Sequence, residues 1–275
     1  MQEIKNIINK VYLGEASEVL NMFPDKFIQV VMTSPAYYGN SRWSYKSIED
    51  YMQQHVKVIK EIYRVLKDDG VVFWNINDSY VQKDQEYTDL CAYFYFAFKN
   101  CGFHKNQKTV IWKRDSGIPT SKLQDYYEFV MVFRKEVSPK FDKNKVREKA
   151  KYLNRYHLDT TGTATKPIGN IWKIAKSWAD GRKYRRTHSC PFPNELVENC
   201  ILLASDPGDV ILDPFLGSGT TCIVAKALER NWIGIEMDEN YYKSSLENIE
   251  RGTNLIISND HCTKITGVKQ KSLKV

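Results

Sequence analysis

The chain has 275 residues, 42% hydrophobic, with 40 basic against 33 acidic side chains and a formal net charge of +7. That length supports one large core, or one domain with an insert, and no apolar run reaches the length of a bilayer span or a signal-peptide core. Six scattered cysteines (91, 101, 190, 200, 222, 262) without a C-x-x-C pair argue against zinc and disulfides, so a reduced, cytoplasmic protein is expected.

Residues 27–32 (FIQVVM) are a short β-branched run ended by Ser34-Pro35, which predicts a buried strand. Helical spacing of Tyr51, His55, Val58, Ile59, Ile62 and Leu66 predicts a helix over 47–66. Ser47 is its N-cap, with Asp50 as a short-armed capping-box partner. Asp68-Asp69-Gly70 reads as a turn into a second buried strand at 71–74, and 86–99 as a helix closing near Cys101-Gly102. Residues 108–112 and 127–133 are β-rich and predict a hairpin across the loop holding Gly117 and Pro119. Apolar periodicity then fades over 135–186, where charges and loop signals dominate. It returns as a helix at 194–203, a strand at 210–213, a helix at 219–230, a strand at 232–236 and a helix at 240–250. A polar, basic tail follows, with one apolar run at 255–257.

Strands alternating with helices predict an α/β fold, a doubly wound and mostly parallel sheet, with a basic insert. The boundaries read as 1–134, 135–187 for the insert, and 188–275 with the polar tail. Between Arg134 and Thr187 sixteen Lys or Arg face five acids, so this stretch carries +11 and the remainder −4. A weakly acidic body with a basic insert suits a polyanion, and double-stranded nucleic acid is the favoured partner.

Two segments concentrate the chemistry. Thr33-Ser34-Pro35-Ala36-Tyr37-Tyr38 offers a small hydroxyl, a rigid turn and two aromatic faces directly after a buried strand. In Asp213-Pro214-Phe215-Leu216-Gly217-Ser218-Gly219-Thr220-Thr221, Gly217 and Gly219 permit a tight turn, and the next helix aims free N–H groups at a ligand. The following strand ends in Glu236, where a carboxylate can accept both hydroxyl hydrogens of a ribose. A P-loop is excluded for want of Gly-Lys-Ser/Thr. The five histidines (55, 104, 157, 188, 261) are dispersed, which leaves metal catalysis without a ligand cluster.

Together these motifs resemble those of the permuted (beta-type) DNA amino-methyltransferases, in which the catalytic motif precedes the cofactor motif, and specifically the N4-cytosine branch with Ser-Pro-x-Tyr. Residues 14–20 (GEASEVL), 64–72 (RVLKDDGVV) and 188–196 (HSCPFPNEL) match further segments of that family. The resemblance implies a circularly permuted, Rossmann-like methyltransferase fold with S-adenosylmethionine as cofactor. It implies that Phe192 and Pro193 pack on the cofactor, that Asp213, Phe215, Gly217, Gly219 and Thr220 line it, and that Glu236 takes the ribose. Asp238 falls on the adenosine side, and Glu15 stands toward the adenine where Asp is usual.

An exocyclic amino nitrogen is a poor nucleophile because its lone pair is delocalised into the ring. Ser34 Oγ and the Pro35 carbonyl can accept its two hydrogens and make it more tetrahedral, while Tyr37 stacks on a base swung out of the duplex. Ala36 replaces the usual second proline, which loosens the turn but keeps the backbone carbonyls. C5-cytosine chemistry would need a Pro-Cys nucleophile, and here the order is reversed, Cys190-Pro191. Arg182, Lys183, Arg185 and Arg186 are candidate phosphate contacts, and Arg42 and Trp43 are candidates for insertion beside the flipped base. The expected setting is a restriction–modification system with a cognate endonuclease. Adenine N6 as target, a catalytically weak DNA-binding protein, and an RNA or small-molecule methyltransferase stay open at this point.

Overall fold

The alternating runs are realised as strand–helix–strand units in the computed structural model, which describes residues 2–39, 45–81, 86–106, 109–113, 127–149, 157–158, 164–174 and 193–252. The chain opens with α1 (Gln2–Lys5), β1 (Lys10–Leu13) and α2 (Ala16–Asn21), then β2 (Ile28–Thr33), α3 (Ile48–Val65) and β3 (Leu66–Ile76). β4 (Ser79–Val81) pairs with β5 (Glu86–Thr88), and α4 (Leu90–Asn100), β6 (His104–Lys105), β7 (Val110–Lys113) and β8 (Tyr127–Arg134) follow. β9 (Arg147–Lys149), β10 (His157–Leu158), β11 (Ala164–Pro167) and β12 (Ile171–Lys173) come next. The last stretch holds α5 (Asn194–Ala204), β13 (Val210–Asp213), α6 (Thr220–Ala227), β14 (Asn231–Glu236) and α7 (Glu239–Arg251).

Nine of the described strands form one sheet in the order β1-β14-β13-β2-β3-β8-β7-β12, with β6 on β8 beside this path. Neighbours from β1 through β3 are all parallel, β8 runs antiparallel to β3 and β7, and β12 is parallel to β7. The carboxyl ends of β1, β14, β13, β2, β3 and β7 therefore meet the start of β8 along one edge. Ligands of open α/β sheets gather at such an edge.

Period-two alternation sends side chains to two cores. Val72, Trp74 and Ile76 face a cluster built with Tyr51, Ile59 and Ile62 of α3 and Phe94 and Phe98 of α4. Val71 and Phe73 face the other, built with Leu196, Cys200 and Ile201 of α5 and Val224 of α6. Helices on both faces make the sheet doubly wound, as expected. Ser47 caps α3 by accepting from Asp50 N–H, while the Asp50 carboxylate reaches back to Lys46 N–H rather than to Ser47, one residue off a reciprocal box.

The structure differs from the sequence expectations in three places. Residues 68–70 lie inside β3, where the pairing with β2 shifts register between Ile28 and Val30, so the expected turn is a strand irregularity. The helix expected from 86 begins only at Leu90, because 86–88 pair with 79–81. Within the expected insert, β12 joins the main sheet, and Trp172 and Ile174 are buried in the second core. β9, β10 and β11 form a separate small antiparallel sheet. The loop at 117–119 and the run at 255–257 lie outside the described residues.

Phe98 and Phe133 lie parallel with ring centroids 4.2 Å apart, and both are fully buried between α4 and β8. Phe133→Ala should lower stability by about 3–5 kcal/mol, read as a shift in the urea midpoint with unchanged slope. A loss below about 1 kcal/mol would mean this contact does not anchor α4 to the sheet.

Candidate active site

β2 ends at Thr33, and residues 34–38 cross the sheet edge as the first loop of the site. Ser34 and Tyr37 are half-buried, whereas Pro35 and Tyr38 are buried. The loop is held from outside itself. Tyr51 of α3 donates its hydroxyl to the Ala36 carbonyl at 2.9 Å, and Ser79 Oγ donates to the Tyr38 carbonyl at 2.6 Å. The Tyr51 ring is fully buried against Tyr38, His55 and Phe94. A side chain from a neighbouring helix thus supplies restraint at the position where a second proline would have supplied it covalently.

β13 ends one strand away at Asp213, and residues 214–219 form the second loop. Asp213 is buried, and both its oxygens are engaged. Oδ1 accepts from Thr33 Oγ1 at 2.6 Å and from Phe215 N–H at 3.1 Å, and Oδ2 accepts from Thr221 Oγ1 at 2.6 Å. Asp213 thus braces the loop from behind and ties it to the residue before Ser34. Burial pushes its carboxyl up to about 6, against the opposing pull of the two threonine hydroxyls.

Gly217 and Gly219 adopt φ of +56° and +92°. At Gly219 a Cβ would also press on Ile249 and on the Ser245 carbonyl at 3.3 Å. The left-handed turn delivers the chain into α6, with Thr220 buried at its first position and its hydroxyl 3.2 Å from Ser218 Oγ. Glu236, at the end of β14, closes the loop: Oε2 accepts from Gly217 N–H at 2.8 Å and Oε1 from Asp238 N–H at 2.9 Å. Its carboxyl is raised by burial, partly offset by these N–H bonds. Phe215 lies half-buried against His55 and Trp74, with centroids at 5.4 and 5.9 Å. His55 is held neutral by burial, its pKa down to about 4, with Nδ1 2.7 Å from the Tyr51 carbonyl.

The remaining candidates sit around this core in different ways. Glu15 is the N-cap of α2, accepting from Ser17 Oγ and Glu18 N–H, and Gly14 N–H bonds the Glu236 carbonyl, so this turn adjoins the end of β14. Asp238 is the N-cap of α7, accepting from Asn240 and Tyr241 N–H. Pro193 is buried at the N-cap of α5. Phe192, Arg42, Trp43, Arg182, Lys183, Arg185 and Arg186 lie outside the described residues. Sequence reasoning missed Asn75, Trp112 and Glu128. Asn75 Nδ2 is 2.9 Å from Glu128 Oε2, 3.3 Å from Tyr37 Oη and 3.4 Å from Ser34 Oγ, and Trp112 Nε1 donates to Asn75 Oδ1 at 2.8 Å. The available signal was an amide inside the apolar run VVFWNI.

Known proteins share this arrangement. A family model described as DNA methylase, for N6 and N4 methyltransferases, matches residues 28–247. The Type II methyltransferase M.BglII of Bacillus subtilis is 29% identical over 249 residues, covering 86% of this chain and 68% of that protein. Among solved structures, the DNA modification methylase TTHA0409 of Thermus thermophilus, complexed with S-adenosyl-L-methionine, superposes with a TM-score of 0.67 at 26% identity, covering 89% of this chain and 94% of that one. PvuII DNA methyltransferase, described as cytosine-N4-specific, gives 0.70 at 23% identity over 89% and 91% of the two chains, a likeness of fold.

The two shifted groups pull stability in opposite directions with pH. Asp213 has a folded pKa above its unfolded value, so between about 6 and 3.8 the native state takes the proton first and acidification favours folding through this group. His55 has a folded pKa below its unfolded value, so between about 6.5 and 4 the unfolded state takes the proton first and acidification disfavours folding. Asp213→Asn removes the first effect alone. Its urea midpoint should therefore fall more steeply than that of the parent protein between pH 6 and pH 4, about the window the two groups share. Parallel pH profiles would contradict this pairing.

Proposed function

The chain belongs to the N6/N4 DNA methylase family, and on that premise we propose that it methylates the exocyclic N4 of cytosine in duplex DNA, as the modifying member of a restriction–modification system. The observation that carries the N4 reading is Ser34 at the head of the catalytic loop, beside the pocket edge formed by Asn75 and Tyr37. A neutral hydroxyl and the Pro35 carbonyl are two acceptors for the two hydrogens of an amino group. Accepting both localises the lone pair on nitrogen without removing a proton first.

The methyl donor is S-adenosylmethionine, and the residues present fit it. Two left-handed glycines bring backbone close to a ligand, the start of α6 points into the same edge, and Glu236 is a buried acid at the end of the adjacent strand. Gly217, Gly219 and Thr220 would hold the cofactor, Glu236 its ribose, Phe215 and Pro193 its apolar surface, and Glu15 and Asp238 the adenosine side. When bound, the cofactor supplies an electrophilic methyl group on a sulfonium. Everything else is positioning: the loop at 34–38 holds the base amino group, Tyr37 covers the ring, and Asp213 fixes the spacing between the two loops.

Phosphate contacts fall to the basic stretch at 135–187, with Arg182, Lys183, Arg185 and Arg186, and the loop carrying Arg42 and Trp43 is placed to follow an extruded base. DNA as substrate is consistent with a cytoplasmic setting. A second reading follows from the same acceptors, because adenine N6 also presents two amino hydrogens.

Labelled S-adenosylmethionine with mixed-sequence duplex DNA, digested to nucleosides, tests the proposal. Label in N4-methylcytosine is the expected result, and label in N6-methyladenine would replace the target while keeping the site. Ser34→Ala should lower kcat by about 100-fold with cofactor affinity unchanged. Full activity in that variant would remove Ser34 from the chemistry.

A further inference from the structure

Asn75 is a buried amide in a strand otherwise filled with apolar side chains, and such a group is kept only where its hydrogen bonds are made. The pairing of β3 with β8 and β8 with β7 sets Asn75 opposite Val130 and Glu128 opposite Trp112, so Asn75, Glu128 and Trp112 share one face of the sheet. The amide orientation follows from chemistry. An indole N–H can only donate, so the group 2.8 Å from Trp112 Nε1 is the Asn75 oxygen, and Nδ2 must face the catalytic loop. A carboxylate on the other side agrees, since Glu128 Oε2 accepts from Nδ2 at 2.9 Å and from the Tyr37 hydroxyl at 3.0 Å. The two longer contacts of Nδ2 go to Tyr37 Oη and Ser34 Oγ, at 3.3 and 3.4 Å. One locked amide therefore addresses both functional side chains of the catalytic loop.

We propose that Asn75 and Glu128 are positioning residues for methyl transfer, holding Ser34 and Tyr37 in the orientation that receives the base and placing one negative charge behind them. The proposal rests on the methyltransferase reading and extends it beyond the two motifs. A serine hydroxyl can donate or accept. An N–H aimed at Ser34 Oγ occupies one lone pair and turns the hydroxyl hydrogen aside, leaving the other lone pair for an amino hydrogen of the base. Glu128 adds charge. When the base nitrogen gains its bond to the methyl carbon, the pair of the broken sulfur–carbon bond stays on sulfur. The nitrogen is then positive until it releases a proton to water. A fixed carboxylate on the base side of the site favours that displacement of charge, in an interior where such an effect is strong.

Three variants test this through kcat and KM on mixed-sequence duplex DNA, cofactor affinity by calorimetry, and the pH profile. Glu128→Gln keeps an oxygen that accepts from both Asn75 and Tyr37 and removes only the charge, so kcat should fall about tenfold, with KM and cofactor affinity within about twofold. Asn75→Asp sets two carboxylates against each other. Its activity should be low at about pH 8 and rise toward about pH 6, as one of the pair takes a proton and becomes a donor. Adding Glu128→Gln to Asn75→Asp restores the bond with roles reversed and should abolish that rise. A purely structural role would lower thermal stability and cofactor affinity together and give no pH reversal, which would overturn the proposal. So would a parent-like kcat in both single variants. The parent protein is assayed alongside: if it labels no DNA, the methyltransferase reading fails and takes this inference with it. If it labels DNA and the variants match it, only this inference fails.

Discussion

The Thr33–Asp213–Thr221 tie is the constraint on which the rest of the site depends. β2 and β13 are parallel neighbours, so the loops that leave them are adjacent at the sheet edge although 180 residues separate Thr33 from Asp213. A single carboxylate then fixes their spacing, accepting from a threonine on each side and from the Phe215 N–H of its own loop. Hydrogen bonds to a charged acceptor contribute roughly 1.5–3 kcal/mol each, enough to offset much of the cost of burying Asp213. The residual cost appears as the raised pKa. Two loops that must present a methyl donor and a methyl acceptor in line gain from a rigid brace, because small displacements at such a site cost large factors in rate.

A second layer of restraint is aromatic. Tyr51, His55, Trp74, Phe94 and Phe215 pack edge to face and tilted beneath the two loops, with neighbouring centroids between 4.1 and 6.0 Å. Tyr51 reaches up to Ala36 and His55 touches Phe215, so one cluster of α3 supports both loops. Rigid rings lose little rotamer entropy on packing, and their polar tips find backbone carbonyls. Ala36 is less of a defect in this setting than in the bare motif, since its carbonyl is pinned by a buried hydroxyl.

Much of the fold was legible in the sequence because its signals are local. Buried parallel strands such as 28–33 and 210–213 are continuous apolar runs, and the amphipathic spacing of α3 and α7 announces helices. The glycine turn was legible because few residues tolerate a left-handed backbone. Errors fell where pairing overrides propensity. Residues 86–88 carry no strong strand pattern and are recruited by 79–81, and 171–173, within a charged stretch, become an edge strand through Trp172 packing beneath the sheet. The site divided the same way: Ser34, Tyr37, Gly217, Gly219 and Glu236 stood inside recognisable motifs, whereas Asn75, Trp112 and Glu128 come from three strands and are single polar or aromatic residues without any pattern.

The sequence by itself determined the chemistry available: a hydroxyl and a rigid carbonyl after one strand, a glycine turn and an acid after two others, and a basic stretch between them. Those properties belong to residue types and short spacings, which a chain carries whether or not it is folded. Only the tertiary structure decided which groups work together. Strand order brought 33 beside 213, and register put 75, 112 and 128 on one face. Burial then determined that Asp213 is a brace and that the amide of Asn75 can point only one way. Hydrogen-bond partners and dielectric surroundings are properties of neighbours in space, and across a sheet those neighbours are set by pairing rather than by separation along the chain.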